Sequence, residues 1–242
     1  MDRTNNKGKL YLIPSPLGDN DPSEVLPSPV LELLPRIHRY VVEEERTVRR
    51  FLSRAGLKGH ISELEFHTLN EHTGPAEVEA LTALFDDGQD VGLVSEAGLP
   101  AVADPGARLV ELCHRRGIEV VPLVGPSSLM LALMASGLNG QSFAFCGYLS
   151  AKSEERRAAI KAVEKRSADL GQTQIIIETP YRNDALMEDL VRYCNPSTQI
   201  CVAADLTLPA QYICTRSVAA WRGPAMPVIG KRPCVFLILA QR

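Results

Sequence analysis

Between Val91 and Leu133 the chain reads VGLVSEAGLPAVADPGARLVELCHRRGIEVVPLVGPSSLMLAL, and no other stretch narrows the possible folds as far. Two apolar runs of strand length, 90–95 and 119–123, alternate with segments of helical periodicity, 107–116 and 127–136. An uninterrupted apolar run of this length suits a strand buried on both faces, as in a parallel sheet covered by helices. The same alternation recurs along the chain. Strands are expected at 10–14, 40–43, 143–147, 174–178 and 199–205, and over CVFLILA near the C-terminus. Helices are expected at 30–34, 45–56 (closed by Gly56), 76–86, 153–166 and 183–193. The pattern predicts an α/β chain of two α/β/α domains with mostly parallel sheets. Residues 1–123 and 124–242 are the expected domains, each near the common size of about 100–150 residues. The segment 127–136 is apolar nearly all round, so it is expected to be a buried helix. HTLNEH (67–72) reads as a polar loop.

Composition removes several classes. The chain is 45% hydrophobic with a formal net charge of −3, which supports a sizeable core. It argues against disorder and against a protein built mainly to coat nucleic acid, while leaving room for a local basic patch. Six cysteines are scattered without C-x-x-C spacing, as expected of buried free thiols in a reducing compartment. The start, MDRTNNKGK, has no signal-peptide core, and no apolar run approaches the roughly 20 residues of a membrane span. The expectation is a soluble, cytoplasmic protein that does not bind a membrane.

The turns after the two strands of the opening stretch concentrate Gly and Pro. Ligands of open α/β sheets sit beyond the carboxyl ends of the strands. Gly98, Pro100, Pro105 and Gly106 would bring backbone close to a ligand without bulky side chains between them. Pro126 sets the second turn, and Ser127 or Ser128 can cap the next helix. Ordinary strand–helix connections would look the same at this level. Glu43 to Arg46 (EEER) fall at a strand end, where acids also suit a helix N-terminus. His67 and His72 have no further partner in the sequence to suggest a metal site. Lys152 and Arg156 in AKSEERR are surface charges or anion contacts.

Taken in order, PSPLGDN, EEERTVRRFL, HTLNE, SEAGLPAVADPG, VGPSS, GYLSAKSEERR, ETPYR and AADLT span nearly the whole chain. In their order and spacing they resemble the tetrapyrrole methylase superfamily. Within it they are most similar to the branch that methylates ribose hydroxyls of ribosomal RNA. The resemblance implies S-adenosylmethionine bound in a cleft between the two domains, held largely by backbone. Ser95, Gly98, Leu99, Pro100 and Val102 would form the first cofactor turn, and Ser127 and Ser128 the second. Glu178, Ala203, Pro233 and Cys234 would be the second domain's share. Glu43, Arg46, His67, Asn70 and Glu71 would line the catalytic side, with Glu43 or His67 as base. Arg46, Lys152 and Arg156 would meet phosphates. The resemblance further implies a homodimer, an RNA or ribosomal-subunit partner, and no metal. Among the departures from the family pattern, Glu96 replaces Asp, Leu99 replaces Thr, Tyr181 replaces His, Ala204 replaces Arg, and GKRPCVF stands in place of Lys-Gly-Glu near the last strand. They keep two alternatives open: a methyltransferase for a small, tetrapyrrole-like molecule, and a non-catalytic S-adenosylmethionine-binding protein.

Overall fold

The structure, a computed structural model, describes residues 7–241. The chain divides into two compact units, Met1–Ser127 and Ser128–Arg242.

The first unit holds strands β1 (Leu10–Ile13), β2 (Arg39–Val42), β3 (Glu65–Thr68), β4 (Val91–Val94) and β5 (Val120–Pro122) in the spatial order β3-β2-β4-β1-β5. All four pairings are parallel. Helices α1 (Pro22–Val25), α2 (Ser28–Leu33) and α3 (Glu45–Leu52) cover one face, over Ile13, Tyr40, Val42 and Val94. Helices α4 (Pro75–Ala80) and α5 (Ala107–Arg115) cover the other, over Leu10, Val41, Val91 and Leu93. Every residue of β4 is buried, because alternate side chains feed two different cores. Removing any one of those aliphatic side chains from water is worth about 1.5–3 kcal/mol. HTLNEH is not wholly a loop: His67 and Thr68 close β3, which lies at the sheet edge. An edge strand has one partner and weaker burial, so it lacks the apolar run that marks the central strands.

Chain direction explains where a site can form. The connections β1–β2 and β2–β3 run toward the β3 edge over the α1–α3 face, whereas β3–β4 and β4–β5 return over the α4–α5 face. Loops leaving the adjacent strands β2 and β4 therefore diverge to opposite faces and open a crevice at their carboxyl ends.

The second unit begins with α6 (Ser128–Ser136), followed by β6 (Phe143–Tyr148), α7 (Ser153–Leu170), β7 (Thr173–Ile177), α8 (Asn183–Tyr193), β8 (Gln199–Ala204), β9 (Tyr212–Ser217), α9 (Val218–Trp221) and β10 (Cys234–Leu239). Its sheet order is β6-β7-β10-β8-β9. Only β6–β7 is parallel; β7–β10, β10–β8 and β8–β9 are antiparallel. Parallel pairing thus dominates the chain through the first sheet, and the second sheet is mixed. The β8–β9 hairpin, which the sequence pattern did not announce, reverses the chain there. Helices α7, α8 and α9 cover one face, with Trp221, Phe236 and Leu186 in the core. The Trp221 indole donates to the Ile200 carbonyl at 3.0 Å, which satisfies its buried N–H.

Helix α6 lies along β8, β9 and β10, and its Ser136 carbonyl accepts from the Thr215 hydroxyl at 2.7 Å. It is not buried all round. Leu129, Ala132, Leu133 and Ser136 are buried at helical spacing, whereas Met130 and Met134 are 43% and 77% exposed. Only the i, i+3, i+4, i+7 stripe can meet the sheet, whatever the outer face is made of.

Candidate active site

At the carboxyl edge of the first sheet the chain is forced into close contact with itself. Ser15, just past β1, pairs with Gly98, just past β4: the Ser15 N–H donates to the Gly98 carbonyl at 2.9 Å and the reverse bond is 3.1 Å. Gly98 takes φ +81°, and a Cβ there would stand 3.1 Å from Leu17. Gly125, past β5, packs so tightly on Pro14 that a Cβ would lie 2.2 Å from the proline Cβ. Three turns are thereby brought together at the ends of β1, β4 and β5. Between Gly98 and Gly106, Ala101 and Ala103 adopt φ of +64° and +65°. An L-residue held there costs roughly 1–3 kcal/mol, a strain that tends to collect at ligand sites. In this turn Ser95 and Pro100 are buried, Leu99 is half-buried and Val102 is 44% exposed. Ser127 and Ser128 are half-buried at the entrance to α6.

The crevice between β2 and β4 holds carboxylates. Glu43 leaves the end of β2, and the Glu96 backbone N–H donates to its carboxylate. Its pKa is pushed up to about 7, first by burial, then by the negative charges of Asp104, Glu96 and Glu71. The Glu96 N–H opposes the rise without cancelling it. The Asp104 carboxyl is raised as well, by burial first and by Glu96 in addition, against the Ser95 hydroxyl, which lowers it. Asp104 and Glu96 are the acidic partners that sequence reasoning did not assign to the catalytic group. The signal available was small: an Asp before Pro-Gly in the turn following a buried strand.

The other expected catalytic residues disperse around Glu43. Glu71 contributes to its field but is itself exposed, with His72 Nε2 at 3.6 Å. Arg46 is exposed on the first turn of α3, where the Glu44 carboxylate caps its N–H. His67 and Asn70 line a groove with Thr73 and Glu77. The His67 Nε2 is buried without a hydrogen-bond partner among the described residues, 4.0 Å from Glu65. The Asn70 side chain accepts the His72 N–H at 2.9 Å and so holds the turn. His67 pairs with Val41 in the β2–β3 register, whereas Glu43 lies just past the end of β2.

In the second unit, Glu178, Ala203, Pro233 and Cys234 also gather at one sheet edge. Glu178 follows β7, Ala203 pairs with Val235, and the Pro233 carbonyl accepts the Asp205 N–H at 2.9 Å. Glu178 is buried, and its Oε1 accepts Arg182 at 2.6 and 2.9 Å and the Thr179 N–H at 2.6 Å. Its Oε2 is buried with no partner among the described residues, an unmet acceptor that a donor on a ligand would satisfy. Ala203 is fully buried, and burial pushes the Cys234 thiol up to about 12, so these two can present only backbone or a neutral surface. Arg156 is not available to a phosphate: it is buried and bound to Asp189 at 2.6 Å. Lys152 is exposed and paired with Glu155 at 3.0 Å. All six cysteines are free thiols. Among the described residues no cluster of three or more His, Cys, Asp or Glu is arranged around a metal, and no helix is long and apolar enough to cross a membrane.

Comparison with known proteins adds an independent line. The sequence model of the tetrapyrrole (corrin/porphyrin) methylases matches residues 27–220. The ribosomal RNA small subunit methyltransferase I of Escherichia coli O157:H7 is 34% identical over 203 residues, covering 84% of this chain and 67% of that protein. Its counterpart from Vibrio cholerae is 32% identical, covering 82% of this chain and 65% of that protein. The chain thus spans about two-thirds of the length of these curated relatives. Among solved structures, the methyltransferase CobJ superposes with a TM-score of 0.65 at 18% identity, over 96% of this chain and 94% of that one. Uroporphyrin-III C-methyl transferase from Thermus thermophilus, complexed with S-adenyl homocysteine, gives 0.55 at 18% identity, over 96% and 97% of the two chains. At such identities the structural likeness speaks for the fold.

Proposed function

This chain belongs to the tetrapyrrole (corrin/porphyrin) methylases, and from that premise we propose that it is an S-adenosylmethionine-dependent methyltransferase acting on a ribose hydroxyl of ribosomal RNA. The observation that carries the reading is Glu43, a carboxyl with a pKa near 7 set in the β2/β4 crevice beside the strained turn 95–106. The names of the relatives support RNA as the acceptor.

The residues fit the cofactor. The strained turn that carries Ser95, Gly98, Leu99, Pro100 and Val102 suits an adenosine, and so does the chain at Ser127 and Ser128. Within the second unit, Glu178 keeps an unmet Oε2 among the described residues, with Ala203, Pro233 and Cys234 at the same strand ends. When bound, S-adenosylmethionine supplies an electrophilic methyl on a sulfonium. The protein's own task is alignment, exclusion of water and removal of one proton. A carboxylate with a pKa near 7 is partly ionised at neutral pH and still basic enough to take the proton of an attacking hydroxyl. Glu96, through its backbone N–H, fixes the orientation of that carboxylate, and Asp104 keeps its basicity high. Arg46, on the exposed first turn of α3, meets the phosphate backbone, while His67 and Asn70 border the acceptor from their groove. A homodimer in the cytoplasm completes the reading. In its support, the edge strand β6 exposes Phe143, Phe145 and Tyr148, an apolar rim suited to a second copy.

Transfer of tritiated methyl from labelled cofactor tests the proposal. The acceptors are small-subunit ribosomal RNA and the small-molecule fraction, both from cells lacking this gene. Label recovered in a 2′-O-methyl nucleoside is expected. Label only in the small-molecule fraction, or none in either, would refute it.

A further inference from the structure

Beside the crevice, and apart from the groove at His67, the first unit contains a pocket of about 230 Å³. Its floor is apolar, formed by Leu17, Pro22 and Phe51. Helix α3 contributes Thr47 and Arg50 to the lining, with Arg54 beyond its end, and the exposed Glu96 adds an acidic lip. The two arginines differ. Arg54 is bound to the Asp19 carboxylate and carbonyl, so its charge is spent within the protein. Arg50 is exposed and, among the described residues, takes part in no ion pair. The lining thus holds a fork-shaped cation with no ion pair among the described residues, together with Glu96, whose N–H acts on the Glu43 carboxylate.

Resting on the reading of this protein as an RNA methyltransferase, we infer that this pocket seats one ribose-phosphate of single-stranded RNA next to the acceptor nucleotide, with its phosphate on Arg50. Three features point to that ligand. A guanidinium fork matches two phosphate oxygens. The sugar packs on the Leu17–Phe51 floor. The acidic lip accepts from sugar hydroxyls and steers the chain toward Glu43, where a phosphate would be repelled. Size agrees: the volume lies below the roughly 300–1,000 Å³ of sites that enclose a whole drug-sized ligand. A tetrapyrrole macrocycle does not fit inside it, whereas one ribose-phosphate of a longer chain does. Arg50 thus fixes the register of the RNA and carries no sequence preference of its own.

The experiment measures binding of a fluorescein-labelled 12-nucleotide single-stranded RNA by anisotropy across a salt series, for the unmodified protein, Arg50→Lys, Arg50→Ala and Arg50→Glu. Cofactor affinity is measured in parallel by calorimetry. Arg50→Ala should weaken RNA binding about tenfold at low salt, equivalent to about 1.4 kcal/mol. It should also flatten the slope of log K against log salt by about 0.7, the share of one phosphate on a single strand. Arg50→Glu should be weaker still and Arg50→Lys intermediate, with cofactor affinity unchanged in all three. An Arg50→Glu protein that binds RNA with the parental affinity and slope overturns the inference and leaves the methyltransferase reading intact. Loss of cofactor affinity in that variant also overturns it, by assigning the pocket to the cofactor. If the unmodified protein binds no RNA and labels only the small-molecule fraction, the underlying reading itself has failed.

Discussion

Glu43→Gln separates catalysis from stability, because the two should move in opposite directions. The rise of the Glu43 carboxyl from an ordinary 4.5 to about 7 means that the folded state holds its proton more tightly than the unfolded chain does. Stability from this group is therefore fully present below about pH 4.5 and is lost as pH rises through about 7. At about 1.36 kcal/mol per pH unit the upper bound is about 3.4 kcal/mol. Glu43 is only half-buried, and solvent screening reduces the expected effect to about 1 kcal/mol. Glutamine is uncharged at every pH and can still accept the Glu96 N–H. At pH 8.5 the variant should unfold about 2–4 °C above the parent, the shift that about 1 kcal/mol produces in a chain of this size. At pH 5 the difference should nearly vanish. Methyl transfer should behave the other way, falling by about 10²–10⁴. The parental kcat/KM should rise with pH to a plateau through a midpoint near 7, and that limb should be missing from the variant's residual activity. Circular dichroism melts at the two pH values and a pH–rate profile suffice. A stability difference that does not grow with pH, or a variant that keeps the parental limb, would refute the assignment of Glu43.

Val102→Arg places a charge on an exposed residue of the strained turn, so calorimetry should show cofactor affinity lost with the melting temperature kept; normal affinity would remove this turn from the cofactor site. Gly125→Ala forces a Cβ to within 2.2 Å of Pro14, and should cost at least about 1–3 kcal/mol in urea denaturation; a variant as stable as the parent would mean the two turns part easily. Arg156→Ala leaves the half-buried Asp189 carboxylate without its cation, which should cost up to about 3 kcal/mol. That loss is readable through the fluorescence of Trp221 in the same unit, and a midpoint unchanged from the parent would show that water reaches the pair.

The alternation of strand and helix was legible in the sequence because a strand buried on both faces, such as VGLV, is mostly apolar. The turns were legible too, since Gly98 and Gly125 stand where backbone conformation or a neighbouring proline leaves no room for a side chain. Two of the four edge strands were not, although the edge strands β5 and β6 were. EFHT at the first sheet's edge and YICTRS at the second's carry mixed residues, because an edge meets a partner on one side only. Helix α6 misled for the converse reason: Met130 and Met134 are apolar, but the sheet reaches only the opposite stripe. The grouping of Glu43 with Glu96 and Asp104 belongs to the tertiary structure alone. They lie on segments far apart in sequence, and only the insertion of β4 between β2 and β1 brings their carboxylates together. A sequence states which groups can ionise. How strongly each holds its proton depends on burial and on neighbouring charge, and both exist only once the chain has folded.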